Sequence, residues 1–108
     1  MSAIYIDADN VSYKNIEDLV NKDFKKFIIK KIFGDWSKTE LKNWAKKVID
    51  YGMEPIQCFR VNKKQTTDVR LISELIHDIY EYDIKKIYLA TSDIDFSYVC
   101  VILKKKNI

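Results

Sequence analysis

Acidic side chains recur in this 108-residue sequence just past its short apolar runs. Asp7 and Asp9 follow Ala3–Ile6, Asp68 follows a basic loop, and Asp93 and Asp95 follow Lys86–Ala90. Carboxylates brought together repel one another unless something cationic neutralises them. There is one histidine, His77, and the two cysteines, Cys58 and Cys100, are far apart with no CxxC partner. A His-rich zinc centre and a Cys/His dyad using a second histidine therefore have no residues to build from, and both cysteines read as buried apolar residues. An all-oxygen ligand set suits Mg2+ or Mn2+. Such a site can activate a water and stabilise the leaving oxygen of a phosphodiester. Taken singly, each acid is equally an ordinary helix cap or solvated loop residue. Capping does not explain why acids pair at Asp7/Asp9 and at Asp93/Asp95. Ser92 is placed to cap the last helix and to hold a carboxylate or a water.

These acids need elements to position them. Ala3–Ile6 is β-prone and ends abruptly in Asp7-Ala8-Asp9-Asn10, as a buried parallel strand running into a polar loop does. Asn15 is placed to cap a short helix, Ile16 to about Asn21, and Phe27–Phe33 is a second strand ended by Gly34-Asp35. Ser37 or Thr39 opens a helix of about Glu40–Asp50, with Leu41, Trp44, Ala45 and Val48 on one face and Gly52 as a left-handed stop. Glu54–Phe59 is a third strand, Arg60–Thr66 a basic loop, and Asp68–Tyr82 an amphipathic helix with Val69, Leu71, Ile72, Leu75, Ile76 and Ile79 apolar. Lys86–Ala90 is a fourth strand, and Phe96–Lys106 a helix with Val99, Ile102 and Leu103 inward. Strands alternating with helices predict an α/β fold: a three-layer α/β/α sandwich around a parallel sheet of about four strands. Right-handed crossovers then bring the strand ends, and their acids, to one edge.

Composition narrows the class further. Hydrophobic residues are 47% and charged residues 32%, a globular mix, with length for one domain over 1–108. No apolar run reaches a membrane span, and an aspartate arrives too early for a signal peptide, which points to a cytoplasmic chain. The net charge of +3 is by itself a weak sign of nucleic acid.

Five segments in order, IDADNVS, FGDWS with a Trp in the helix after it, EPIQCF, KQTTDVRL and TSDIDF, resemble the NYN domain. The resemblance is to its bacterial LabA-like branch, within the PIN-like nuclease superfamily, and spans essentially the whole chain. It implies a PIN-like sandwich with the first strand central and a metal-dependent site that cleaves RNA, expected to be single-stranded, with Mg2+ or Mn2+. Motif by motif, it implies Asp7, Asp68, Asp93 and Asp95 as catalytic, metal-holding residues. Asn10 is the polar companion of Asp7, and Thr67 and Ser92 are supporting residues. Glu74 stands where the family carries another acid, more usually Asp. Lys63-Lys64 replaces the Gly-Lys that the family often has, which predicts a stiffer loop. The family continues past its last helix with Gly and a further strand. Here Asn107 takes the place of that Gly and the sequence ends at Ile108. A final edge strand is thus expected to be missing, leaving an edge open to a homodimer partner.

Arg60, Lys63 and Lys64 precede Asp68 and are the candidate contacts to RNA phosphates. Trp36, at a strand end, suits either stacking on a base or packing, Trp44 suits the core, and Asp35 is a further candidate acid. His77 reads as a partly buried polar residue. Three functions follow: a metal-dependent endoribonuclease leaving a 5′-phosphate, a PIN-like module that binds RNA or protein without cleaving, and, less favoured, a haloacid-dehalogenase-like phosphatase. The last rests on Asp7-Ala8-Asp9, but 108 residues leave no room for its cap and longer core, and it has no use for Asp68.

Overall fold

The computed structural model describes residues 1–108, leaving aside the side chains of Val20 and Asp23. Its sheet has four strands, β1 (Ser2–Asp7), β2 (Phe27–Gly34), β3 (Glu54–Gln57) and β4 (Lys86–Ala90), all parallel in the order β3-β2-β1-β4. Four α-helices follow the strands in turn: α1 (Tyr13–Asp23), α2 (Lys42–Asp50), α3 (Thr67–Glu81) and α4 (Ser97–Lys105). None of the described helices is long and apolar enough to cross a membrane.

β1 is interior because its side chains can be buried on both faces. Ile4 and Ile6 join Ile16, Phe24, Leu41 and Trp44 in the core under α1 and α2. Ala3 and Tyr5 join Leu71, Leu75 and Leu103 under α3 and α4. Alternate residues of one strand thus feed two cores, as a parallel sheet covered on both faces requires. The chain adds β2 and β3 on one side of β1, then crosses to add β4 on the other. Open α/β sheets form a crevice where strand order reverses in this way. Here it lies past the ends of β1 and β4, where Asp7, Asp93 and Asp95 are carried.

The expected elements are present, with shifted limits. α1 starts at Tyr13, with Ser12 rather than Asn15 at the N-cap position. A 3-10 turn, Thr39–Leu41, leads into α2, whose Ala45 is exposed. Gly52 has φ +64 and ends α2 as expected, its N–H reaching the Ile49 carbonyl while that of Met53 reaches Val48. Asn107 does the same for α4 with φ +62, so the residue standing for the family's Gly performs a glycine's backbone task. β3 stops at Gln57, because β2 ends at Gly34 and offers one last bond, Cys58 N–H to the Gly34 carbonyl. Phe59 therefore leaves the sheet exposed. Val69, Ile76 and Ile102 also face outward, although they lie on apolar helical stretches. Cys58 is buried and Cys100 half-buried; both are free thiols.

Candidate functional site

Asp7 is the last residue of β1 and is fully buried. Its Oδ2 accepts from Asn10 Nδ2 at 2.8 Å and from Thr91 Oγ1 at 2.9 Å. Its Oδ1 is buried without a hydrogen-bond partner. Burial pushes the carboxyl above its ordinary range; the bonds from Asn10 and Thr91 pull it back, and the charges of Asp9 and Asp93 push it up again.

Asp68 enters from the first turn of α3, and Asp93 and Asp95 from the turn after β4. One carboxylate oxygen from each lies within 4.8 Å of the others. Asp68 is pushed up to about 6, first by burial, then by sharing a hydrogen bond with Asp93, then by the charges of Asp93, Asp7 and Asp95. Asp93 is set by the backbone: its N–H donates to Thr91 Oγ1 at 3.1 Å, and its Oδ1 accepts from Asp95 N–H at 2.9 Å. Asp93, not Ser92, thus caps this turn. Ser92 Oγ donates instead to the Asn10 carbonyl at 2.9 Å, joining the loops after β1 and β4.

Asp9 has a different task. Its Oδ2 accepts from Thr67 Oγ1 at 2.7 Å and from Gln65 Nε2; its Oδ1 accepts from Asp35 N–H at 3.3 Å and lies 3.7 Å from Lys38 Nζ. With both oxygens engaged, it ties the start of α3 to the ends of β1 and β2. Gly34 permits this closeness: a Cβ there would meet Leu41 Cδ1 at 2.9 Å and Asp9 Oδ1 at 3.5 Å.

The other candidates separate clearly. Arg60, Lys63 and Lys64 are exposed, and Asn62 and Lys63 take φ of +51 and +64 in a two-residue hairpin turn joining Val61 to Lys64. Lys63 thus occupies a left-handed conformation that glycine adopts without strain. Trp36 is half-buried, packs against the α1–α2 core and donates Nε1–H to the Ile56 carbonyl at 3.1 Å. Asp35 accepts from Ser37 and Gln57, and these bonds hold its carboxyl below its usual range. It organises its own turn and stands outside the Asp68 group. Glu74 also stands outside it: Lys31 Nζ reaches Glu74 Oε2 at 3.1 Å, and Arg70 Nη2 reaches Glu74 Oε1 at 3.0 Å. His77 is exposed rather than partly buried, its side chain 64% accessible. Sequence reasoning passed over Thr91, which contacts both Asp7 and Asp93; a hydroxyl two residues before an acid in TSDIDF is the signal of such a turn.

A parallel sheet with acids collected where strand order reverses is an arrangement suited to phosphodiester chemistry. The profile of the NYN domain matches residues 2–108. The chain belongs to the NYN family, whose domains are generally nucleases of the PIN-like superfamily. Among curated proteins and among solved structures, no match was found.

Proposed function

We propose that this protein is a metal-dependent endoribonuclease of the LabA-like branch, acting in the cytoplasm on single-stranded RNA with Mg2+ or Mn2+. The observation that supports it most is Asp7 Oδ1, a buried carboxylate oxygen without a partner, which stands outside the Asp68, Asp93 and Asp95 group but within reach of the charges of Asp68 and Asp93. An unsatisfied buried acceptor costs about 1–3 kcal/mol. Crowded carboxylates add repulsion. A hard divalent cation relieves both, so the residues present fit one. Asp7, Asp68, Asp93 and Asp95 are the residues that would hold it. When bound, such an ion supplies Lewis-acid activation of the phosphodiester and makes water a better nucleophile.

The chain supplies orientation. Asn10 and Thr91 occupy Asp7 Oδ2 and leave Oδ1 as the atom that would meet a cation. Thr91 Oγ1 fixes the Asp93 backbone N–H, and the Asp95 N–H holds the Asp93 carboxylate. Thr67 and Gln65, through Asp9, hold the first turn of α3 and so Asp68. Arg60, Lys63 and Lys64 offer charge to the phosphates beside the acidic edge.

The test is cleavage of a single-stranded RNA with Mn2+, with EDTA, and by Asp93→Asn. Asparagine keeps an oxygen acceptor for the Asp95 N–H, so the fold should survive. Mn2+-dependent cutting that is lost with EDTA and in the variant is the expected outcome. Cutting by Asp93→Asn at the wild-type rate overturns the site, and no cutting by the wild type under any divalent cation overturns the enzyme.

A further inference from the structure

The Phe59–Thr66 loop and the first turns of α3 enclose a hollow of about 440 Å³ that the acidic site does not use. Its walls include the exposed apolar side chains of Phe59, Val61 and Val69, and beside them stand Lys64 and Arg70. Phe59 is 68% accessible although it directly follows a buried cysteine. Val69 and Arg70 directly follow Asp68, so the hollow and the acids share the first turns of α3 on different faces of the helix. Arg70 gives Nε–H and Nη2 to Glu74, and among the described residues Nη1 has no bond.

The loop is built rather than slack. Thr66 Oγ1 donates to the Phe59 carbonyl and closes it at its base. Val61 and Lys64 exchange backbone hydrogen bonds of 3.0 and 2.8 Å across its tip. Gln65 then bonds Asp9, which fixes the loop against the end of β1. Phe59 and Lys64 are thus presented before any ligand arrives. An exposed aromatic face with cations at its rim matches a flat base joined to charged phosphates, and only an unpaired base can leave its stack to enter.

We propose that this hollow takes an unpaired nucleobase of the RNA strand, stacked on Phe59, while Lys64 and Arg70 hold the flanking phosphates. It rests on the reading of RNA as substrate and assigns base contact to Phe59 rather than to Trp36, whose indole is engaged in packing and a backbone bond. The test uses the full chain carrying Asp93→Asn, in EDTA, so that binding is read without cleavage. Fluorescence anisotropy compares three probes: a single-stranded RNA, a strand of the same length made of abasic sugars, and inorganic polyphosphate. Phe59→Ala should weaken RNA binding roughly five- to tenfold, leave polyphosphate binding unchanged and remove the preference for RNA over the abasic strand. Phe59→Trp should retain that preference, and Lys64→Ala should weaken all three probes. Circular dichroism checks that each variant is folded. Equal RNA affinity with Phe59 and with Ala overturns the proposal, even if wild-type protein cuts RNA with Mn2+. Base-dependent binding through Phe59 without any wild-type cleavage upholds the hollow and overturns the nuclease.

Discussion

At its N-terminal end α3 brings Asp68 to Asp93 and Asp95; over its next turns it brings Glu74 and then Asp78 to Lys31. Glu74, His77 and Asp78 are as close to one another as the first three acids, so distance alone does not separate the two groups. Counter-charge does. Asp78 is almost wholly buried, yet Lys31 Nζ lies 2.8 Å from Oδ2 and Tyr5 Oη donates to the same oxygen at 2.8 Å. Burial pushes Asp78 and Glu74 up, but the bonds from Lys31 and their other donors outweigh it, and both carboxyls end below their ordinary range. Asp68, with acids for neighbours, moves the opposite way. One helix therefore carries a cluster neutralised by the chain's own Lys31 and Arg70 and a cluster with no such cation among the described residues, the one that the proposed ion would neutralise.

Removing the internal cation should have the largest effect. Lys31→Met leaves Asp78 buried with its lysine gone and should cost about 3 kcal/mol in urea unfolding. A loss under about 1 kcal/mol would mean the second cluster is no more neutralised than the first. Supplying the external cation comes next. Mn2+ at about a hundred times its dissociation constant should stabilise the wild type by about 2.7 kcal/mol and Asp93→Asn by much less, read by thermal melting. Equal shifts in both would place the ion elsewhere.

The smallest effect is the most specific. In EDTA at neutral pH, Asp68→Asn should stabilise the protein by a few tenths to about 1 kcal/mol, the repulsion being screened by solvent. An acid whose folded pKa is raised to about 6 from 3.8 holds its proton more tightly folded than unfolded. Its contribution therefore turns unfavourable as pH rises through that window, and the benefit of Asp68→Asn should fade below about pH 4. Glu74 and Asp78 have the opposite sign, stabilising at neutral pH and losing that contribution as acid protonates them. A wild-type-to-variant difference that is flat with pH would break the contrast.

The parallel sheet was legible because apolar strands alternate with helices, the central place of β1 came only with the resemblance to the NYN domain, and the strand-end position of Asp7, Asp93 and Asp95 follows from topology. The strand and helix faces were less so. Phe59 extends an apolar run, but whether it pairs depends on where β2 ends, at Gly34, which stands opposite Gln57. Val69, Ile76 and Ile102 carry helical periodicity without meeting the sheet, because apolarity marks a face and not what covers it. The Lys31–Asp78 pair joins residues 47 apart, and no local pattern records it. Glu74 reads as a neighbour of the acids in a one-dimensional motif, whereas the helix turns it toward lysine.

The bond between Tyr5 and Asp78 also has a mechanical side. It pins α3 to the strand that carries Asp7 two residues further on. Asp68 sits ten residues up the helix from that pin, about 15 Å at the usual rise. Over such an arm, a tilt of about four degrees moves the far carboxylate by about 1 Å, a displacement that can cost on the order of a hundredfold in a rate. The pin is then a fulcrum: its stiffness sets how accurately a carboxylate at the other end of the helix is aimed.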